Sequence, residues 1–214
     1  MSIRVLNIAE KPSVAREIAA ALSGMQPAPQ HHGQFSRPHP VFEFPFVIPP
    51  GGPLHGPVTM LVSSVRGHLL GLEFKAPFNK WGSCNPVELF SVPTERVPGE
   101  GMQELCDQLG GLARTCQWVV LWLDCDREGE AIGFEVKLVC EAAKKHLRFL
   151  RARFSTVAHS DLLRAVSSLG PPDERQSEAV LAREEIDLRL GSAFTRLQTK
   201  AIADRFEELV GKTM

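Results

Sequence analysis

An unbroken apolar run, Trp118-Val119-Val120-Leu121-Trp122-Leu123, passes directly into Asp124-Cys125-Asp126-Arg127-Glu128-Gly129-Glu130. A short run with no polar face suits a strand covered on both sides, as strands inside parallel sheets are. Beyond it Ala131, Ile132, Phe134, Val136, Leu138 and Val139 follow helical spacing, so a helix is expected over 128–141. Glu128 then lies in the first turn, where the helix dipole favours an anion. Side chains two apart on a strand share a face, so Asp124 and Asp126 are expected to converge at its carboxyl end. Cys125 would point away, and Gly129 would let the chain turn tightly. Carboxylates crowded together repel one another, and a hard cation held through oxygen removes that cost.

Two other readings of the acidic stretch stand beside this one. Acidic residues also serve simply as helix caps. Asp124, Asp126, Glu128, Gly129 and Glu135 fall at positions 1, 3, 5, 6 and 12 of a calcium-binding EF-hand loop. Against the calcium loop, residues 118–123 are apolar on every side where an EF-hand needs an amphipathic helix. Residues 131–139 also take helical spacing where that loop should still be coiled.

The rest of the chain repeats a strand, turn and helix pattern. Ile3 to Ala9 reads as a strand ending at Glu10-Lys11-Pro12-Ser13, and Pro12 suits the first position of a helix striped by Val14, Ile18, Ala21 and Leu22. Residues 24–57 are dense in Pro and Gly and read as an insertion around a short strand at Val41–Val47. Their histidines His31, His32, His39 and His55 lack ligand spacing and read as surface residues. Val58 to Val65 is a further strand, followed by Gly67-His68-Leu69-Leu70. Residues 73–98 read as irregular, with Phe74, Phe78, Trp81 and Phe90 among Lys75 and Lys80. That mixture suits either a loop pinned by aromatic anchors or a surface that stacks bases. A helix at 102–112, a strand at 148–154, a helix at 160–169 and one or two helices over 174–209 complete the pattern.

Alternating strands and helices imply an α/β fold, a Rossmann-like parallel sheet flanked by helices, followed by the start of a helical domain. In such sheets ligands gather at the carboxyl ends of the strands. Glu10 and the pair Asp124 and Asp126 both fall there, so two distant segments deliver acids to one edge.

Composition narrows the chemistry. With 43% hydrophobic residues in 214 the chain has ample core, and its formal net charge of −1 gives nucleic acid no global attraction. Five cysteines without a CxxC pair argue against a disulfide framework or structural zinc and fit a reducing compartment. The amino terminus does not read as a signal peptide and no apolar run approaches a membrane span, so an intracellular protein without membrane association is expected. The chain contains no tyrosine, so it cannot by itself complete a mechanism that needs one.

An acid after the first strand combined with Asp-x-Asp-x-Glu after a later one resembles the TOPRIM domain of topoisomerases, primases and some nucleases. Narrower wording lies in Ala9 to Ala15, Gly67 to Leu70, Asp124 to Glu130, Arg151 to Ser155 and Ala193 to Thr199. In order, these resemble the amino-terminal part of type IA DNA topoisomerases of the topoisomerase III subfamily. Trp81 to Pro86 and Asp187-Leu188-Arg189 resemble its eukaryotic branch.

The resemblance implies ATP-independent cleavage of one DNA strand, strand passage and religation, with the 5′ end held on a tyrosine. It implies Mg²⁺ held by Asp124, Asp126 and Glu128, with Glu10 in proton transfer or metal binding. Lys11 would contact the scissile phosphate, and His68 and Arg196 would lie near single-stranded DNA. RNA stays open as a substrate. A RecQ-type helicase, an OB-fold protein and a nuclear location are implied in the same way. Thr156 stands where the family commonly has Glu, which places any acid role there in doubt.

Residues 1–158 are expected to form the TOPRIM domain and 159–214 the start of a helical DNA-binding or gate domain, truncated before the family's tyrosine. Two other functions stay open: a stand-alone TOPRIM nuclease or primase-like enzyme using metal-activated water, and a non-catalytic product that binds DNA or a protein.

Overall fold

The computed structural model describes residues 3–24 and 39–205. Strand β1 (Ile3–Ala9) leads into helix α1 (Pro12–Ser23), with Lys11 as its N-cap and Pro12 in its first turn. Pro lacks the N–H that would go unpaired there, which is why the helix begins where it does. Strands β2 (Phe42–Ile48) and β3 (Gly56–Ser64) follow, then β4 (Leu70–Phe74), a 3₁₀ helix at Pro86–Phe90, and β5 (Thr94–Pro98). Helix α2 (Gln103–Thr115), β6 (Trp118–Trp122), α3 (Arg127–Ala143), β7 (Arg148–Arg151), α4 (His159–Ser167) and α5 (Glu174–Arg205) complete the chain. The region expected to hold one helix or two is thus a single α5 as far as it is described.

The main sheet has the order β2-β3-β1-β6-β7, with β3, β1, β6 and β7 parallel and β2 antiparallel on β3. The expected parallel α/β sheet is therefore present. The expected insertion is corrected in part: β2 pairs with β3 along its whole length, from Phe42 opposite Val62 to Ile48 opposite Gly56, and forms the sheet's edge. His31 and His32 lie outside the described residues. His55 is exposed, its ring nitrogen 3.2 Å from the Gly52 carbonyl.

Period-two alternation sorts the strand side chains between two cores. Val5, Met60, Trp118, Val120 and Trp122 pack toward α1 and α4 with Ile18, Leu22, Leu162 and Val166. Leu6, Ile8, Leu61, Val119 and Leu121 pack toward α2 and α3 with Leu109, Leu112, Ile132 and Val136. The all-apolar Trp118 to Trp122 strand is fully buried because both its faces are covered. The polar side chain of Asn7 is buried within the sheet. The Trp122 indole N–H donates to Asn7 Oδ1 at 3.0 Å, and the Asn7 amide donates to the carbonyls of Val5 and Leu61 at 3.2 and 3.3 Å.

The chain divides into two compact units, one of residues 1–70 and 98–180, the other of 71–97 and 181–214. The first holds the main sheet with α1 to α4, so α4 groups with the sheet and not with residues from Leu181 onward. The second is built on a small core of Phe74, Leu89, Val92 and Ala193, with Phe78, Cys84 and Leu188 packed against it. Residues 73–98 are therefore more regular than expected, because β4 pairs with β5 and an Asn85 and Glu88 capping box fixes the 3₁₀ helix between them. Arg189 holds the second unit together by donating to the Leu89 and Val92 carbonyls at 2.8 and 2.9 Å.

Candidate metal centre

Strands β1 and β6 are neighbours in parallel register, with Ala9 opposite Trp122, so the residues after each emerge side by side. The Asp124 N–H donates to Glu10 Oε2 at 3.0 Å. Two segments more than a hundred residues apart thus meet at the carboxyl edge of the sheet.

The acidic turn itself is not built as strand alternation predicts. The strand ends at Trp122, and Asp126 is the N-cap of α3, its Oδ1 accepting from the Gly129 N–H at 2.7 Å. Helix capping and an acidic site are therefore one arrangement. Gly129 is not a turn residue either: it lies inside α3, and a Cβ there would stand 2.1 Å from the Asp124 carbonyl oxygen. Glycine is needed for close approach of the helix to the turn. Glu128 is in the first helical turn as expected, and β6 precedes the turn, which excludes the EF-hand.

Asp124, Asp126 and Glu128 are exposed and Glu10 is half-buried. Among the described residues no three of these four acids bring one oxygen each within 4.8 Å of one another. They nonetheless fit Mg²⁺. All four offer hard oxygen donors, the Asp124 carboxylate has no hydrogen-bond partner among the described residues, and Mg²⁺ keeps several waters while taking one or two carboxylates directly. Lys11 is exposed beside Glu10, its ammonium without a partner among the described residues.

His68 is held on the same edge. Its Nδ1 lies 2.8 Å from Glu135 Oε1 and its Nε2 3.4 Å from Glu128 Oε2. Glu135 is 1% exposed, and its other oxygen accepts from the N–H groups of Leu69 and Leu70 at 2.6 and 3.1 Å. Arg196 belongs to the second unit, 6% exposed, with Nη2 donating to the Phe78 carbonyl at 2.9 Å. Thr156 serves the turn into α4, donating to Asp161 Oδ2 at 2.7 Å and accepting from the Ala158 N–H at 3.2 Å.

Sequence reasoning missed the support beneath the turn. Arg151, fully buried at the end of β7, uses all five guanidinium N–H groups. Nε donates to Glu130 Oε1 at 2.9 Å, Nη1 to the carbonyls of Leu121 and Ala152 at 3.1 and 2.8 Å, and Nη2 to those of Leu123 and Asp124 at 2.8 and 2.7 Å. Glu130 in turn accepts from the Asp173 N–H at 3.0 Å. A local signal existed only for the other buried acid of α3: Glu135 falls within the apolar stripe of Ala131, Ile132 and Val136, and an acid on that stripe must be paired, as it is by His68 and the Leu69 and Leu70 N–H groups.

Comparison with known proteins gives the chain's relatives. DNA topoisomerase 3-alpha of Arabidopsis thaliana is 44% identical over 211 residues, covering 95% of this chain and 21% of that protein. The Homo sapiens DNA topoisomerase 3-alpha is 41% identical over 213 residues, 99% of this chain and 20% of that protein. Human DNA topoisomerase 3-beta-1 is 38% identical over 212 residues, 96% of this chain and 24% of that protein. The chain spans about a fifth of the length of these curated relatives. In fold it matches full-length topoisomerase I from Thermotoga maritima at a TM-score of 0.51 and 20% identity, over 86% of this chain and 24% of that one. The Toprim domain matches residues 5–156, which take in β1 with Glu10, β6 with its acidic turn, and Arg151 beneath them, and by that match the chain belongs to the Toprim domain family.

Proposed function

We propose that this chain is the Mg²⁺-binding half of a type IA DNA topoisomerase of the topoisomerase III kind, which cuts and rejoins single-stranded DNA through a tyrosine outside these 214 residues. The observation that carries it is the 3.0 Å hydrogen bond joining Glu10 to the Asp124 backbone, which puts an acid, a lysine and the Asp-x-Asp-x-Glu turn on one sheet edge. Asp124, Asp126 and Glu128 would hold Mg²⁺, which when bound screens charge on the phosphates.

The remaining chemistry falls to side chains of this chain. Oε1 of Glu10 accepts or returns the tyrosine proton, because Oε2 is already engaged by the Asp124 N–H. The Lys11 ammonium is a point charge for the phosphate oxygens as negative charge develops on them. His68, oriented by buried Glu135, steadies Glu128 and presents its ring beside the strand. Cleavage and rejoining exchange one phosphoester for another, so no ATP is required. A RecQ-type helicase and an OB-fold protein as partners, RNA as a second substrate and a nuclear location belong to the same reading and rest on the family resemblance of the sequence motifs alone.

A chimera tests it. This chain replaces the corresponding fifth of a topoisomerase 3-alpha relative, and relaxation of negatively supercoiled plasmid is measured with Mg²⁺. Relaxation by the chimera, its loss with Asp124→Ala or Glu10→Gln, and none by the 214 residues alone is the expected result. Metal-dependent nicking by the isolated chain, abolished by Asp124→Ala, would instead establish a self-sufficient nuclease.

A further inference from the structure

A chain of net charge −1 must hold nucleic acid through local features. In the second unit, residues 74–87 and 188–203 include Lys75, Lys80, Arg189, Arg196 and Lys200 and no carboxylate. Arg189 is committed to the Leu89 and Val92 carbonyls. Lys75, Lys80 and Lys200 are exposed, and Arg196 is buried.

Trp81 is 61% exposed, next to exposed Lys80. The loop does not need this ring as an anchor, because Phe74 is 4% exposed and Phe78 packs on the same core. Beneath Trp81 is Arg196, whose guanidinium carbon is 5.9 Å from the ring centroid, within cation–π range. Arg196 is 6% exposed, tied by Nη2 to the Phe78 carbonyl, and its Nη1 is buried without a partner among the described residues. Burying a guanidinium so incompletely paired is costly. The arrangement gives two returns: it fixes the ring's orientation, and it places fixed positive charge under an aromatic surface that otherwise faces water.

We propose that Trp81 is a stacking platform for one base of a single-stranded nucleic acid, with Arg196 as the residue that positions its ring and Lys75 and Lys80 as phosphate contacts. An aromatic ring among lysines is the chemistry that binds single strands without reading sequence. Arg196 on this view acts through Trp81 and not on phosphate. The inference rests on the reading that the substrate is a single strand, but it assigns a contact outside the acidic turn.

The test is binding of a fluorescein-labelled oligothymidylate of about 12 nucleotides, a length suited to one stacking groove, to the whole chain by anisotropy. Mg²⁺ is left out, so the outcome does not depend on the acidic site. Trp81→Ala should weaken binding about 5- to 50-fold. Trp81→Phe should keep most of the affinity, and Lys80→Ala should lower the salt dependence while Trp81→Ala leaves it unchanged. Trp118 and Trp122 are 8% and 0% exposed, so quenching of intrinsic fluorescence by unlabelled oligothymidylate reports on Trp81. Affinity of Trp81→Ala within about twofold of the parent, or saturation without quenching, would overturn the proposal. So would a wild-type chain that does not bind the oligonucleotide, and in that case Mg²⁺ titration of the acidic turn still judges the proposed function separately. Should Trp81→Ala fail to fold, Trp81→Phe and the quenching decide.

Discussion

Arg151 and Glu130 form an ion pair at 2.9 Å in which the side chains are 0% and 5% exposed, and the same guanidinium holds the Leu123 and Asp124 carbonyls. The acidic edge of the sheet is thus braced from inside the protein. Arg151→Ala leaves the buried Glu130 carboxylate without its counter-charge and removes a donor from four carbonyls, of which that of Leu121 keeps the Ala152 N–H, and should cost about 3–5 kcal/mol. Glu130→Gln, which still accepts from Nε, should cost clearly less. Urea denaturation of both variants checks the order, and a loss of only about 1 kcal/mol for Arg151→Ala would show the clamp to be no stronger than a surface pair.

The cap made by Asp126 and its proposed contact with Mg²⁺ can be separated by substitution. Asp126→Asn keeps an acceptor for the Gly129 N–H and removes the charge, whereas Asp126→Ala loses both. Asn should leave thermal stability nearly unchanged, and Ala should cost about 0.5–2 kcal/mol. Both should weaken Mg²⁺ binding. Calorimetric titration alongside melting separates the cap from the ligand, and equal Mg²⁺ affinity in Asn and parent would remove Asp126 from the ligand set.

Gly129→Ala would press a methyl group against the Asp124 carbonyl, where the built Cβ lies 2.1 Å away. Backbone cannot yield as a flexible side chain does, so a loss on the order of 3 kcal/mol is expected together with impaired Mg²⁺ binding. Melting temperature and titration of that single variant decide it.

Thiol labelling offers a probe at the site. Burial pushes up the thiols of Cys106, Cys116 and Cys140, the last to about 12, so at about pH 8 almost none of the Cys140 is thiolate. Cys125 is exposed between Asp124 and Asp126. Iodoacetamide should modify Cys125 while sparing Cys106, Cys116 and Cys140, and the adduct should weaken cation binding. Peptide mapping by mass spectrometry gives the order, and modification of Cys140 in the folded chain would contradict it.

Glu135→Leu removes the acceptor of the Leu69 and Leu70 N–H groups and the partner of His68. Unsatisfied buried donors cost about 1–3 kcal/mol each, so the loss should exceed that of His68→Ala. Amide exchange at Leu69 and Leu70 should quicken in the first variant and not in the second.

The sheet was legible because its strands carry two-sided apolar runs and its helices a period near four, and Glu10 could be placed by connectivity alone. What stayed hidden depends on three-dimensional neighbours. Nothing local distinguishes Arg151 from an ordinary strand arginine until β7 lies beside β6, which brings the carbonyls of Leu121, Leu123 and Asp124 and the Glu130 carboxylate of α3 within its reach. The mechanism of the acidic turn was misread for a similar reason. Alternation of Asp124 and Asp126 assumes that the strand continues, whereas close packing of Gly129 on Asp124 ends it early. The strand expected at Val41–Val47 is β2, but Pro and Gly density around it gave no sign that it pairs with β3, where Pro45 is tolerated because β2 forms the edge of the sheet.

The Asn7 and Trp122 pair in the dry middle of the sheet acts as a gauge for the chemistry above it. Sliding β1 by one residue along β6 would strand an amide and an indole N–H in hydrocarbon. It would also displace Glu10 from the Asp124 backbone by about 3.3 Å, more than the length of the bond that joins them. The spacing between Glu10 and the acidic turn is therefore set by a polar contact buried well below both, and errors in it would be penalised during folding before they could appear as a misaligned edge.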